Sequence, residues 1–171
     1  VQARLRWNYQ QAQRADFVPR MVDELFRRGI VLMRWHVSGD VFSRSYARKM
    51  LEIIGQSLHT TFWAYTRSWR VLAIFPLLKA MSFMPNMKVW FSVDAETGTP
   101  AEIPLGVRTA YLQTDAQEEV KDAELVFLDY PLRRERLPLT VLSKVCPTDT
   151  PEGKHRGVTC ATCQFCWRDQ P

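Results

Sequence analysis

Four cysteines carry the most specific chemistry in the chain: Cys146, Cys160, Cys163 and Cys166, all within the last 26 of 171 residues. A disulfide scaffold spreads its cysteines to tie distant segments together, whereas here the first 145 residues hold none. The even count allows two disulfides, but Cys160, Cys163 and Cys166 sit at i, i+3 and i+6 in one short turn. That packing suits thiolates converging on a metal. Zinc sites usually pair two separate Cys-x2-Cys knuckles, or one knuckle with two histidines. An overlapping triple with a remote Cys146-Pro147 is instead the ligand style of [4Fe–4S] ferredoxins. The expectation is a [4Fe–4S] cluster on the four cysteines, with a single tetrahedral zinc on the same sulfurs as the alternative. His155 lies between the cysteines in a polar loop and reads as a bystander.

A second group of reactive side chains falls where predicted strands end. His36 to Asp40, Tyr65 to Ser68 and Ser92 to Glu96 each follow a run of β-forming residues. Taken singly, His36 reads as a core histidine, and Asp40 and Ser68 as helix caps. Taken together they would rim one pocket, because parallel α/β sheets bind ligands at the carboxyl ends of their strands. On that reading His36, Asp40 and Tyr65 are the catalytic candidates. Ser38, Gly39, Asp40, Thr66 and Ser68 are the candidate cofactor contacts.

The elements that must position these residues alternate between two periods. Asp16 opens a helix with Phe17, Met21, Val22, Leu25 and Phe26 on one face, and Gly29 stops it. Ile30 to His36 reads as a buried strand, and a helix runs from Phe42 to about Ser57 with Tyr46, Met50, Ile53 and Ile54 inward. Thr61–Thr66 is the next strand, and a helix over Trp69 to about Met81 is predicted to be interrupted by Pro76. Lys88–Asp94, Arg108–Leu112 and Leu125–Asp129 are further strands, and the last thirty residues show weak regular structure. Strands alternating with helices imply βαβ units and a mostly parallel sheet.

Composition sets the remaining bounds. Hydrophobic residues make up 46% and charged residues 24%, which excludes wholesale disorder. The longest apolar run, Val71 to Leu78, is too short for a membrane span, so no membrane partner is expected. No cationic stretch leads into an apolar core at the start, so no secretory signal is read and a cytoplasmic location is expected. The net charge is +5, and residues 1–50 concentrate it, with ten Arg or Lys against four Asp or Glu. Arg4, Arg6 and Arg14 are interleaved with Trp7 and Tyr9 there. This basic N-terminal region reads either as a solvated helix face or as a nucleic-acid surface, with Arg on phosphates and aromatics on bases.

Three segments also carry a family resemblance: Arg34 to Ser43, Phe62 to Ser68, and Cys146-Pro147 with Cys160 to Trp167. In this order they resemble the phage and plasmid "gene product 88" family, over a stretch from about Leu5 to Trp167. That family is in turn more distantly similar to radical S-adenosylmethionine (SAM) enzymes with a partial β/α barrel. The resemblance implies an open partial barrel of about five or six mostly parallel strands. Residues 1–145 would form the barrel and residues 146–171 a cysteine-cluster tail packed on it, carrying a cysteine-ligated metal centre. It further implies S-adenosylmethionine as a second cofactor. Ser38-Gly39-Asp40 would stand where the Gly-Gly-Glu motif of those enzymes contacts its amino group. Family members carry a further cysteine-rich segment ahead of the first helix, ending in Cys-Tyr-Ala, and nothing of that kind precedes Val1. The expected site is therefore a closed four-cysteine cluster, which leaves enzymatic activity open. A mobile-element iron–sulfur protein is the leading expectation. A nucleic-acid-binding or interaction protein with a structural zinc is the alternative.

Overall fold

The structure is a computed structural model and describes residues 2–120, 122–134 and 139–168. Five parallel strands, β1 (Leu32–Trp35), β2 (Thr61–Thr66), β3 (Met87–Val93), β4 (Val107–Gln113) and β5 (Leu125–Leu128), lie in that sequential order in one sheet, the winding of an open half-barrel. The chain divides into two compact units, Val1–Val89 with Pro104–Val107, and Trp90–Ile103 with Arg108–Pro171. The cysteine segment falls inside the second unit, together with β5 and all of β4 after Val107.

The first unit is built from helices and two paired strands. Helix α1 (Gln2–Gln13) is rich in strong helix formers but has no apolar stripe, and Ala12 is its buried residue. Helix α2 (Phe17–Arg27) ends in a left-handed turn at Gly29 (φ +59°). There Gly29 N–H donates to the Phe26 carbonyl and Ile30 N–H to the Leu25 carbonyl, closing the helix and aiming the chain into the sheet. Strand β1 (Leu32–Trp35) pairs in parallel with β2 (Thr61–Thr66), Leu32 opposite Thr61 and Trp35 opposite Ala64. Helix α3 (Arg44–Gln56) makes the crossover, capped by the Ser43 hydroxyl, which accepts from Tyr46 N–H at 3.1 Å. It buries Tyr46, Ala47, Met50, Ile53 and Ile54, the face its spacing predicts.

One element departs from expectation. The segment predicted as a helix broken at Pro76 is a 3-10 turn over Ser68–Arg70, followed by α4 (Phe75–Ser82). Pro76 lies in the first turn of α4, where its missing N–H has no helical partner to lose, so it opens the helix rather than breaking it. Buried Asn86 then closes the unit's turns. Its Nδ2 reaches the carbonyls of Ile54, Ser57 and Thr60 at 3.0, 3.1 and 3.1 Å.

Strand β3 (Met87–Val93) is followed by β4 (Val107–Gln113) and β5 (Leu125–Leu128), with Ala110 opposite Leu125 in the parallel β4–β5 pair. Among the described residues no helix lies between β3 and β4 or between β4 and β5. A parallel bridge between Val126 and Val145 extends the second unit's ladder by one residue pair. Three short helices follow β5: α5 (Leu139–Leu142), α6 (Pro151–His155) and α7 (Cys160–Cys163). Among the described residues no helix is long and apolar enough to cross a membrane.

Candidate functional site

In the first unit the residues at the ends of β1 and β2 form one hydrogen-bond network. The Asp40 carboxylate accepts from Val41 N–H at 2.6 Å and the Thr66 hydroxyl at 2.5 Å through Oδ1. Through Oδ2 it accepts from Arg67 N–H at 2.7 Å. Thr66 Oγ1 in turn accepts from Ser68 N–H at 3.0 Å, and Ser68 Oγ donates to the Val41 carbonyl at 2.8 Å. A carboxylate has about four acceptor positions; of the three filled on Asp40, one closes its own loop at Val41 and two hold the second loop at Thr66 and Arg67. Asp40, Thr66 and Ser68 are thus joined. Ser38 and Gly39 (φ +86°) lie in the exposed part of the same loop.

His36 and Tyr65 have other neighbours. His36 sits at the end of β1 in a left-handed conformation (φ +53°), uncommon for a residue with a Cβ. Its Nε2 lies 2.9 Å from the Tyr46 hydroxyl of α3, and the two rings meet edge to face. Burial holds the imidazole pKa below its ordinary value, against a weaker opposing pull from Asp40. Burial likewise raises the Tyr46 phenol, so it stays protonated. The Tyr65 ring is buried beneath the Arg34 guanidinium, 4.9 Å from its centroid. Tyr46 was hidden in the sequence because its position belongs to the apolar stripe of α3. A charge inside a strand run was the available signal for Arg34.

The four cysteines belong to the second unit, and none is in a disulfide. Cys146 is buried at the sheet ladder: its N–H donates to the Val126 carbonyl at 2.8 Å, and its Sγ lies 3.1 Å from Thr148 Oγ1. The turn after it is held by buried Asp149, which accepts from Leu128 N–H at 3.2 Å and pairs with Arg133 at 3.1 Å. Glycine is required at 153, because a Cβ there would collide with the Pro147 carbonyl oxygen. Cys160 and Cys163 share α7, where the Thr159 and Thr162 side chains cap each other's N–H groups. Gln164 (φ +63°) ends that helix, and the Cys166 carbonyl accepts from Trp90 Nε1 at 2.8 Å. Arg108 is sandwiched between Trp90 and Phe165, 4.0 and 4.4 Å from their ring centroids, and donates to the Phe165 carbonyl at 3.0 Å. Sequence reasoning did not find Trp90 or Arg108, because alternating residues in a strand read as packing.

Among the described residues no three His, Cys, Asp or Glu side chains group closely enough to hold a metal ion. Burial raises the Cys146 thiol pKa first and the nearby charges of Asp149 and Cys160 raise it further, while Thr148 hydrogen bonds lower it. Cys160 lies near enough to bear electrostatically on Cys146, so two of the four thiols are neighbours.

The basic N-terminal region, residues 1–50, spans α1, α2, β1 and the first half of α3. Trp7 and Tyr9 are exposed, at 59% and 49%. Arg14 and Arg20 pair with Asp16, holding its carboxyl at about 2, and Arg27 pairs with Asp23 and Glu24. Arg14, Arg20 and Arg27 are thus held by carboxylates of the same region, and its excess of ten cations over four anions already counts those carboxylates.

Parallel strands in sequential order, with a cysteine-bearing end in the second unit, define the class: an α/β protein wound as an open half-barrel. The model of the Gene product 88 family matches residues 1–169, and the chain belongs to that family. Comparison with curated proteins and with solved structures gives no match.

Proposed function

We propose that this is a mobile-element protein whose Cys146, Cys160, Cys163 and Cys166 hold a [4Fe–4S] cluster on a radical-SAM-like scaffold. The observation that carries this reading is the second unit's treatment of its cysteines. Their backbone is tied down at Cys146 and Cys166, while all four sulfurs stay outside disulfides and Cys160 bears electrostatically on Cys146. A cluster with four thiolate ligands supplies one-electron transfer or structural cross-linking. Cys146 would supply the buried ligand, and Cys160 and Cys163, on one helix, two adjacent ones. The Trp90 and Arg108 contacts would fix the Cys166 backbone.

Protein purified anaerobically is expected to be brown, with iron and acid-labile sulfide near four each per chain. Stoichiometric zinc without sulfide would overturn the cluster and keep the four-ligand site. Cys163→Ala is expected to lose the metal and lower the thermal midpoint, because a site formed only in the folded state adds its binding energy to folding.

A further inference from the structure

Two of the four cysteines share a single helical turn in the second unit. Helix α7 is only the four residues Cys160–Cys163, so its first and last side chains are neighbours on one face. Backbone bonds close the turn: Cys163 N–H donates to the Thr159 carbonyl at 2.8 Å, and Gln164 N–H to the Cys160 carbonyl at 2.9 Å. The reciprocal caps of Thr159 and Thr162 hold its start. Cys160 is exposed, as are Thr159, Ala161 and Thr162 around it, whereas Cys163 is half-buried. The turn therefore offers one open sulfur and one partly shielded sulfur.

The other two thiols stand differently. Cys166 has the same spacing from Cys163, but the helix ends between them at Gln164, whose left-handed backbone (φ +63°) turns the chain off the helical path. Beyond it, Arg108 holds the Phe165 carbonyl at 3.0 Å and Trp90 holds the Cys166 carbonyl at 2.8 Å. Cys146 is buried at the sheet ladder with its Sγ 3.1 Å from Thr148 Oγ1.

We infer that Cys160 and Cys163 form a redox dithiol that reduces a small disulfide, with Cys160 attacking and Cys163 resolving. The Cys160 thiol gives its proton to water, and the thiolate attacks one sulfur of the disulfide. The substrate's S–S bond breaks, a mixed disulfide forms on Cys160, and half of the substrate leaves as a thiolate. Cys163, deprotonated in the same way, attacks Cys160 Sγ and expels the second half. The two leaving thiolates take up the protons that the cysteines gave to water. Two electrons pass from the chain to the disulfide, and the chain ends with a Cys160–Cys163 bond. Helical neighbours three residues apart have Cβ atoms about 5–6 Å apart, whereas a disulfide requires about 3.5–4.5 Å. The bond must draw the turn inward, which leaves it readily reducible and suits a reversible couple rather than a permanent cross-link. A cluster on the same sulfurs would occupy both thiols, so the inference concerns the chain without metal and does not rest on the cluster reading.

The test uses the full chain, stripped of metal by a chelator and reduced, with oxidised glutathione as the small disulfide. About two equivalents of reduced glutathione should be released per chain, and dithiothreitol should restore both thiols. Cleavage after Arg156 and Phe165 isolates residues 157–165, which hold Cys160 and Cys163 without Cys146 or Cys166, and mass spectrometry should find the new bond inside that peptide. Cys163→Ser is expected to stop at a glutathione adduct on Cys160 and to slow release of the second equivalent at least about tenfold, because the intramolecular attack is lost. Cys160→Ser is expected to slow release of the first at least about tenfold, because the exposed attacking thiolate is gone. A Cys146–Cys160 or Cys163–Cys166 bond in place of Cys160–Cys163 would overturn the inference. So would an adduct on Cys160 that persists with Cys163 intact, an unchanged rate in Cys160→Ser, or loss of the far-ultraviolet circular dichroism when metal is removed. Iron, zinc and sulfide measured before stripping judge the cluster separately, so each reading can fail alone.

Discussion

The end of β1 and the cysteine segment use their polar atoms in opposite ways. In the first unit, side chains do the tying: the Asp40 carboxylate and the Thr66 and Ser68 hydroxyls are engaged with one another or with nearby backbone. In the second unit the backbone does much of it. Cys146 N–H, the Phe165 carbonyl and the Cys166 carbonyl are bonded, and the sulfurs stay out of disulfides. A side chain whose acceptor positions are filled holds structure. One held through its backbone keeps its reactive atom for chemistry. By that measure Cys160 and Cys163 are the better candidates for reactivity, Cys146 being buried with its sulfur against Thr148, and Asp40 is the candidate for stability.

The comparison breaks most visibly at Asp40. Asp40→Ala removes one acceptor from two N–H groups and a hydroxyl, and is expected to cost about 3 kcal/mol in urea unfolding, given roughly 1 kcal/mol per bond and more to a charged group. Asp40→Asn keeps Oδ1 and sets an amide N–H against Arg67 N–H, for roughly half that loss. A cost under about 0.5 kcal/mol for Asp40→Ala would show that the carboxylate is not a structural latch and would return it to the list of ligand contacts.

A smaller effect is expected at Trp90. Trp90→Phe removes the hydrogen bond to the Cys166 carbonyl and part of the Arg108 stack, at about 1 kcal/mol. The sharper readout is thiol chemistry, since alkylation of Cys166 should speed up in the variant. An unchanged rate would show that the backbone bond does not restrain this segment.

The smallest expected effect is a pH dependence at His36. Its folded pKa lies below the ordinary value because burial disfavours the imidazolium. The unfolded chain therefore binds the proton first. The stability from keeping His36 neutral is complete above the unfolded pKa near 6.5 and is lost as pH falls through the folded value. Thermal midpoints from pH 7.5 to 5.5 should drop more for the natural protein than for His36→Asn, which tolerates the left-handed backbone and does not titrate. Parallel curves would mean that His36 is effectively solvated.

Much of this protein is legible along the chain because periodicity and punctuation are local. The stripe of α3, the β-formers of Thr61–Thr66 and the stop at Gly29 follow from side-chain volume and backbone freedom within a few residues. So does the grouping of three cysteines in one turn. Pro76 was misplaced because the same residue breaks a helix interior and favours a first turn, and tertiary packing sets the boundary. The candidate site was legible as a set of loops but not as a set of partners. Asp40 meets Thr66 across 26 positions and His36 meets Tyr46 of the next helix, while Trp90 reaches Cys166 across 76. The sequence by itself determined which elements form and which atoms are available for chemistry, because local preference acts within a turn or a strand. The tertiary structure alone decided which polar atoms are satisfied and which, at Trp35 and His36, are left without partners, because a hydrogen bond depends on distance in space and not along the chain.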